Sequence, residues 1–407
     1  MRTFLFIIAV LLCPVFSAQA GDDRPEIQAW SEMTKRLELI GIEALKTYPQ
    51  PNAIDRAEGL RYLLQQLSSS IQAELVRQPG QIPLLRIGAT TINKWGLDGA
   101  DAKYQGATID GGGSYLFYGQ LGSARLFAMQ LTRMSGGYAA YGALTGDQLN
   151  ADEAGNFEIL ISPSKPKDWQ GVWLELNSDT DNILVREYFA DWNNEFPGRY
   201  YLKQIGNSAP VAPVTAAQVN TLLDDTADTF SSRITEWQGR VEQSRTHLVN
   251  KVHMRKADGQ GLGSNVYGSG WFKVGQDEAL IIEMAAPEAL LWSVQLGNVW
   301  WESLDYINRT ASYNDSQAAA SSDGRYRFVL SHSDPGVPNW LDPAGHFEGA
   351  LLFRLQKTEA VVDPVLKLVP FTDVAKYLPE DTPTIEPQQR QSEIAMRRSH
   401  AAIRWAP

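Results

Sequence analysis

One cysteine occurs in 407 residues, and Cys13 falls inside a stretch that reads as a signal peptide. Arg2 is the basic start, Phe4 to Phe16 the apolar run, and Ala18-Gln19-Ala20 the small-x-small cleavage site. Cleavage is expected after Ala20, so the destination is periplasmic or secreted. Leu11 and Leu12 stand where a lipoprotein site needs small residues, so no lipid anchor is expected. The remaining chain has no cysteine, which excludes disulfides, thiol nucleophiles and thiolate metal sites. The first apolar run is too short to span a bilayer and no later one reaches about 18 residues, so membrane insertion is not expected. The formal charge is −11, and loss of Arg2 takes it to −12, which argues against nucleic acid or an anionic membrane as partner. No G-x-S-x-G elbow, P-loop, dinucleotide fingerprint or H-E-x-x-H motif occurs, and neither a cofactor nor a metal is predicted.

What is there is a repeat. Residues 111–206 and 271–370 share four ordered blocks. Leu116 to Leu131 parallels Leu280 to Leu296. Asp152 to Ser162 parallels Asp323 to Ser331. A tryptophan follows, Trp169 or Trp340. Ile183 to Arg186 parallels Leu351 to Arg354. First Leu to closing Arg is 70 residues in one copy and 74 in the other. Short alternating segments between Gly, Asn, Asp and Ser turns predict a duplicated antiparallel β-sandwich, jelly-roll-like in each copy. Only the second copy carries histidines.

Helices are added to this mainly-β frame. Residues 24–80 predict a helical pair. Ile27, Trp30, Met33, Leu37 and Ile40 recur in the first; Leu60, Leu64, Leu67, Ile71 and Leu75 recur in the second, which ends before Pro79-Gly80. Both are expected to pack on the first sheet unit. Residues 81–110 look irregular, and Lys94 to Tyr104 is either a loop over the sandwich mouth or plain connection. Ser208 to Val214 reads as extended. Thr215 and Gln218 form a capping box opening a long helix with Leu223, Ala227, Phe230, Ile234, Trp237, Val241 and Leu248 as its stripe. This helix is expected to pack on a sandwich or the helical pair, with homodimerisation through 216–250 as the alternative. A helix starting near Pro387 carries Arg397, Arg398, His400 and Arg404, read as structural. The boundaries are 1–20 signal, 21–95 helical segment, 96–206 first unit, 207–262 linker and long helix, 263–375 second unit and 376–407 tail.

Chemistry is expected in the second copy. Ser331 to His346 is its densest polar stretch and is stiffened by Pro335, Pro338 and Pro343. His346 with Asp342 or Asp334 would suit a general acid/base pair. Trp300 or Trp301 and Trp340 would stack a ligand that Asn339 helps orient. Glu302 and Asp305 are a candidate carboxylate pair. Arg354 is a further candidate ligand contact, and it matches Arg186 of the first copy, which points instead to architecture for both. The bland reading, that the Asp-Pro elements are turn formers and His346 bonds backbone, stands beside these.

Four stretches resemble a bacterial family known as domain of unknown function 1214. They are Lys94 to Tyr104 followed by Tyr115 to Gly119, Leu184 to Trp192, Asp334 to His346, and Leu378 to Pro383. The resemblance implies a β-rich, jelly-roll-like fold and no activity. Three functions stay open: binding of a glycan or flat amphipathic molecule, hydrolysis or lysis using His346, and a structural or assembly role.

Overall fold

The computed structural model describes residues 24–78, 82–206, 212–257 and 265–406. The expected signal peptide, Pro79-Gly80 and Ser208 to Val211 lie outside the described residues. The chain starts with α1 (Pro25–Thr47) and α2 (Ala53–Val76). The first unit follows: β1 (Arg86–Ile87), β2 (Ala102–Thr108), β3 (Tyr115–Gln120), β4 (Leu126–Arg133), β5 (Ala139–Thr145), β6 (Asn156–Ser162), β7 (Val172–Glu175), β8 (Asn182–Tyr188) and β9 (Arg199–Gln204). Then come α3 (Ala216–Glu236) and α4 (Gln238–His247). The second unit holds β10 (Val252–Lys256), β11 (Val266–Lys273), β12 (Glu278–Met284), β13 (Leu291–Gly297), β14 (Ser312–Asn314), β15 (Tyr326–Ser331), β16 (Trp340–Leu341), β17 (Glu348–Gln356) and β18 (Val365–Pro370). A 3-10 stretch, Phe371–Tyr377, and α5 (Pro387–Arg404) close the chain.

The duplication is visible in the strand order. The first unit pairs β1-β2-β8-β4-β5 in one sheet and β7-β6-β3-β9 in the other. The second pairs β10-β11-β17-β13-β14 and β16-β15-β12-β18, the same order strand for strand. All pairs are antiparallel except β6 with β7 and β15 with β16. Each sandwich buries its own core. Phe117, Met129, Leu131, Ile159, Ile183 and Val185 fill the first, and Leu280, Ile282, Val294, Leu296, Phe328 and Phe353 fill the second.

The ladders correct two details of the repeat. Tyr115 pairs with Ile161 as Leu280 pairs with Leu330, so Leu280 matches Tyr115, not Leu116. A one-residue slip in a strand exchanges core and outer faces, and Tyr115 with Phe117 is the inward pair here. Trp340 matches Trp173 rather than Trp169, because Leu160 opposes Trp173 as Val329 opposes Trp340. Both indoles donate to the serine ending the neighbouring strand: Trp173 to the Ser162 hydroxyl at 3.0 Å and Trp340 to the Ser331 carbonyl at 2.9 Å.

The helical pair sits elsewhere than expected. α1 and α2 lean on α3, and their joint core includes Trp271, Trp300, Trp301 and Leu352 of the second unit. α2 is turned inside out relative to its apolar stripe. Its buried residues are Asp55, Gly59, Tyr62, Gln65, Gln66, Ser69, Ser70 and Glu74. Leu60 and Leu64 are 59% and 70% exposed, and Ile71 and Leu75 also face out. The polar face is inward because distant partners meet it. Gln66 donates to the Lys94 carbonyl and accepts from Arg233, and Thr229 donates to Glu74. Thr215 and Gln218 cap α3 reciprocally, and its buried Ala227, Phe230 and Ile234 continue into Val241 of α4 after a bend at Trp237. That stripe is covered by α1 and α2 of the same chain.

Candidate functional site

His346 is 1% exposed and lies between two carboxylates of α2. Its Nδ1 is 2.7 Å from Asp55 Oδ1 and its Nε2 is 3.3 Å from Glu58 Oε2. α2 delivers both because Asp55 and Glu58 are three apart and share a helix face. Asp55 also closes the capping box of α2, its Oδ2 accepting from the Asn52 backbone N–H. Burial alone would push the His346 pKa down, but the bonds to Asp55 and Glu58 outweigh it and lift it to about 9. Burial would raise Glu58, yet His346 and Asn298 pull it down to about 2. The result is an imidazolium between carboxylates at neutral pH.

A second polar layer lies beneath. Asn298 donates to Glu58 at 2.8 Å and to Glu302 at 3.4 Å, and its Oδ1 accepts the Trp300 and Glu302 backbone N–H groups. Glu302 is fully buried; desolvation lifts its pKa to about 8 against the pull of Lys94. Its Oε1 has no partner among the described residues. Asp98 accepts from Ser303, and Lys94 donates to the carbonyls of Ser303 and Leu304. Residues 94–104 therefore form a buried strap rather than a lid. Leu97 and Trp301 face each other with φ of 54° and 59°, and the Leu97 N–H donates to the Trp301 carbonyl at 2.7 Å. Such backbone costs energy in bulky residues and persists only where the surroundings enforce it.

The other sequence-chosen residues have separate employments. Asp342 binds Arg309 at 2.7 Å and the Ala344 N–H, so it is not the partner of His346. Asp334 binds Arg390 of α5 at 3.0 Å and caps Gly336. Trp300 stacks on Tyr48 at 4.8 Å and donates to the Asp55 carbonyl; Trp301 is buried beside it. Neither indole lines an open groove. Asn339, at φ 56°, donates to the Ala319 and Arg327 carbonyls. Asp305 caps Ile307 and Asn308, apart from Glu302 and its partner Asn298. Arg354 donates to Gln295 and to the Leu97 carbonyl, and Arg186 donates to Gln130 in the same way. Gln130 and Gln295 occupy matching ladder positions, so the Arg–Gln pair belongs to the shared architecture.

One part of the polar loop does border open space. Asp334, Gly336, Ile385, Gln391, Ile394 and Arg398 line a cleft of about 580 Å³, with the Ile385 N–H donating to the Gly336 carbonyl at 2.8 Å. Arg390 fixes the wall, bonding Asp334, the Val337 carbonyl, Tyr313 and Glu393 and lying over Trp340 at 5.4 Å. Local sequence gave no sign of Asp55, Glu58 or Arg390, because they lie 291, 288 and 56 residues from the groups they bind. The capping box around Asp55 was a readable start signal, but it marks a helix and not a histidine partner.

Chemically, His346 is disfavoured as a general base in this arrangement. It is closed from solvent and holds its proton well above neutral pH, where a base must be free of it. It can lock α2 onto the second unit. The described residues offer no group of three or more His, Cys, Asp or Glu that could hold a metal. No described helix is long and apolar enough to cross a membrane.

Among solved structures, the chain is similar to an uncharacterized protein from Burkholderia cenocepacia, with 27% identity, 85% of this chain and 97% of that one covered, and a TM-score of 0.78. A protein from Vibrio parahaemolyticus aligns at 11% identity over 82% of this chain and 100% of that one, with a TM-score of 0.42. No family model matches the chain. No curated protein matches it.

Proposed function

We propose that this is an exported binding protein for a small amphipathic molecule, held between the Asp334–Gly336 turn and α5. The observation that carries this reading is the cleft itself. Its volume is in the range of small-molecule sites, and its wall is braced by Arg390 rather than by a mobile loop. Ile385 and Ile394 would cover the apolar part, and Gln391 and Arg398 would orient the polar part. The named tryptophans are buried or covered, which favours an amphipathic molecule over a glycan needing a bare ring to stack on. The locked proton of His346 weighs against a hydrolase or lyase built on that residue.

Export is inferred from Arg2, Phe4 to Phe16 and Ala18-Gln19-Ala20. Membership of the domain of unknown function 1214 family is likewise inferred. It is supported by where the resembling stretches fall: Lys94 to Tyr104 and Asp334 to His346 both contribute to the buried junction. The direct test of binding is a thermal-shift screen of flat amphipathic acids and amides against wild type and Ile394→Glu. A ligand at a hundred times its dissociation constant adds about 2.7 kcal/mol. Hits lost in Ile394→Glu support the cleft; hits that persist there refute it.

A second reading rests on α2. Leu60, Leu64, Ile71 and Leu75 form an outward apolar stripe, a surface that monomers seldom leave bare. A stripe on one helix is self-complementary about a twofold axis, so the partner would be a second copy. Mass by light scattering should then rise with concentration and return to monomer in Leu64→Asp; a monomer at every concentration refutes it.

A further inference from the structure

The two copies share ladder positions, so each place where their chemistry parts can be read off. Tyr104 opposes Arg186 as Tyr267 opposes Arg354, and the next pair along is Lys103 with Glu187 in one unit and Val266 with Leu355 in the other. Val266 and Leu355 are ordinary core residues. Lys103 and Glu187 are nearly as buried, at 5% and 1% exposure. Where the second unit closes with Val and Leu, the first buries two ionisable groups, which costs free energy unless both are fully partnered. Functional sites are where such local rules are broken.

Glu187 is half satisfied. Its Oε1 accepts from the Gly198 N–H and the Tyr200 hydroxyl, each at 2.7 Å. Its Oε2 is buried and has no partner among the described residues. Buried polar atoms are nearly always bonded, to protein or to ordered water, so this oxygen has room for one more donor. A cleft of about 460 Å³ between the two units has this residue in its lining. Leu121, Phe127 and Tyr200 of the first unit and Leu290 and Lys357 of the second line it with Glu187. Burial pushes the Glu187 carboxyl up and the Lys103 ammonium down, and each charge partly restores the other. Lys103 thus offsets the charge of Glu187 without bonding Oε2. The missing partner is a donor that brings no charge of its own.

We propose that this inter-unit cleft is a second binding site, taking a neutral hydroxyl-bearing molecule whose hydroxyl donates to Glu187 Oε2 while its carbon skeleton lies on Leu121, Phe127 and Leu290. The probes are pentane-1,2-diol, pentylamine and pentanoate, titrated onto the full chain by calorimetry and thermal shift. The diol should bind best, and Glu187→Gln should weaken it about tenfold, the worth of one hydrogen bond to a charged acceptor. Lys103→Val with Glu187→Leu, which installs the second unit's pair, should abolish diol binding, and it should also lower the melting temperature because the Gly198 N–H and the Tyr200 hydroxyl lose their acceptor. Ile394→Glu should leave diol binding intact, which separates this site from the α5 cleft. Pentylamine binding more tightly than the diol overturns the charge-balance argument. No binding by any probe, or a folded double variant that still binds the diol as wild type does, overturns the site.

Discussion

Replacing His346 by glutamine should remove a pH-dependent part of the stability. The pKa of His346 rises from 6.5 unfolded to about 9 folded, which corresponds to about 3 kcal/mol of preferential binding of the proton by the native state. Because the folded pKa is the higher one, this stabilisation is complete below pH 6.5 and is lost as pH climbs through 9. The assay is urea unfolding of wild type and His346→Gln at pH values from 6 to about 9.5. The difference between the two should shrink by about 3 kcal/mol across that window, with a slope of at most about 1.4 kcal/mol per pH unit. Glu302 titrates nearby with its pKa raised to about 8, so wild-type stability also falls between 4.5 and 8 on its account. Subtraction removes that part, and repeating the pair of curves in a Glu302→Gln background checks the removal. A wild-type-minus-variant difference that stays flat from pH 6.5 to 9 refutes the charged imidazolium. So does a neutral ring for His346 in nitrogen NMR spectra near neutral pH.

Glu302→Gln alone should stabilise the chain at pH 7 by about 1–3 kcal/mol, since an amide keeps the shape without resisting ionisation; a loss in urea unfolding would contradict its buried setting. Gly59→Ala should destabilise by about 1–3 kcal/mol, because a methyl there overlaps the Trp300 ring; an unchanged melting temperature would mean that α2 does not sit as described. Arg354→Met should cost more than Arg186→Met by roughly one hydrogen bond, about 1 kcal/mol, because only Arg354 also serves the Leu97 carbonyl; equal losses would remove that distinction.

The duplicated sandwich was legible because period-2 alternation and turn residues are local, and two copies repeat the same local signal. The slips were local too. Leu116 is as apolar as Tyr115, and Trp169 stands only four residues from Trp173, so composition could not decide which one faces inward. Of the long-helix stripe, Ala227, Phe230, Ile234 and Val241 are buried, although the helix bends into two at Trp237. Of the α2 stripe Leu67 packs on the core and the other four face out, although its periodicity was just as clean. A period tells which face is apolar, not which face is covered, and Gln66 and Glu74 turn inward for partners near residues 94 and 229. The same holds at the site: His346 stood out by residue type, while Asp55 was invisible because only the finished fold brings it near.

α5 ties the two units together with its last three turns. Arg397 donates to the Ser312 and Tyr306 carbonyls, Arg404 lies over Trp192 at 4.5 Å and bonds the Ala100 carbonyl, and His400, held neutral by burial and by Arg404, contacts the Glu195 carbonyl. These groups come from the end of the chain and meet residues up to 304 positions earlier. Seen in time rather than in space, the buried carbonyl of Ala100 is without that donor until 304 further residues have been added. A chain cut before Pro387 would therefore leave the seam between its halves open, and proteases would find it there first.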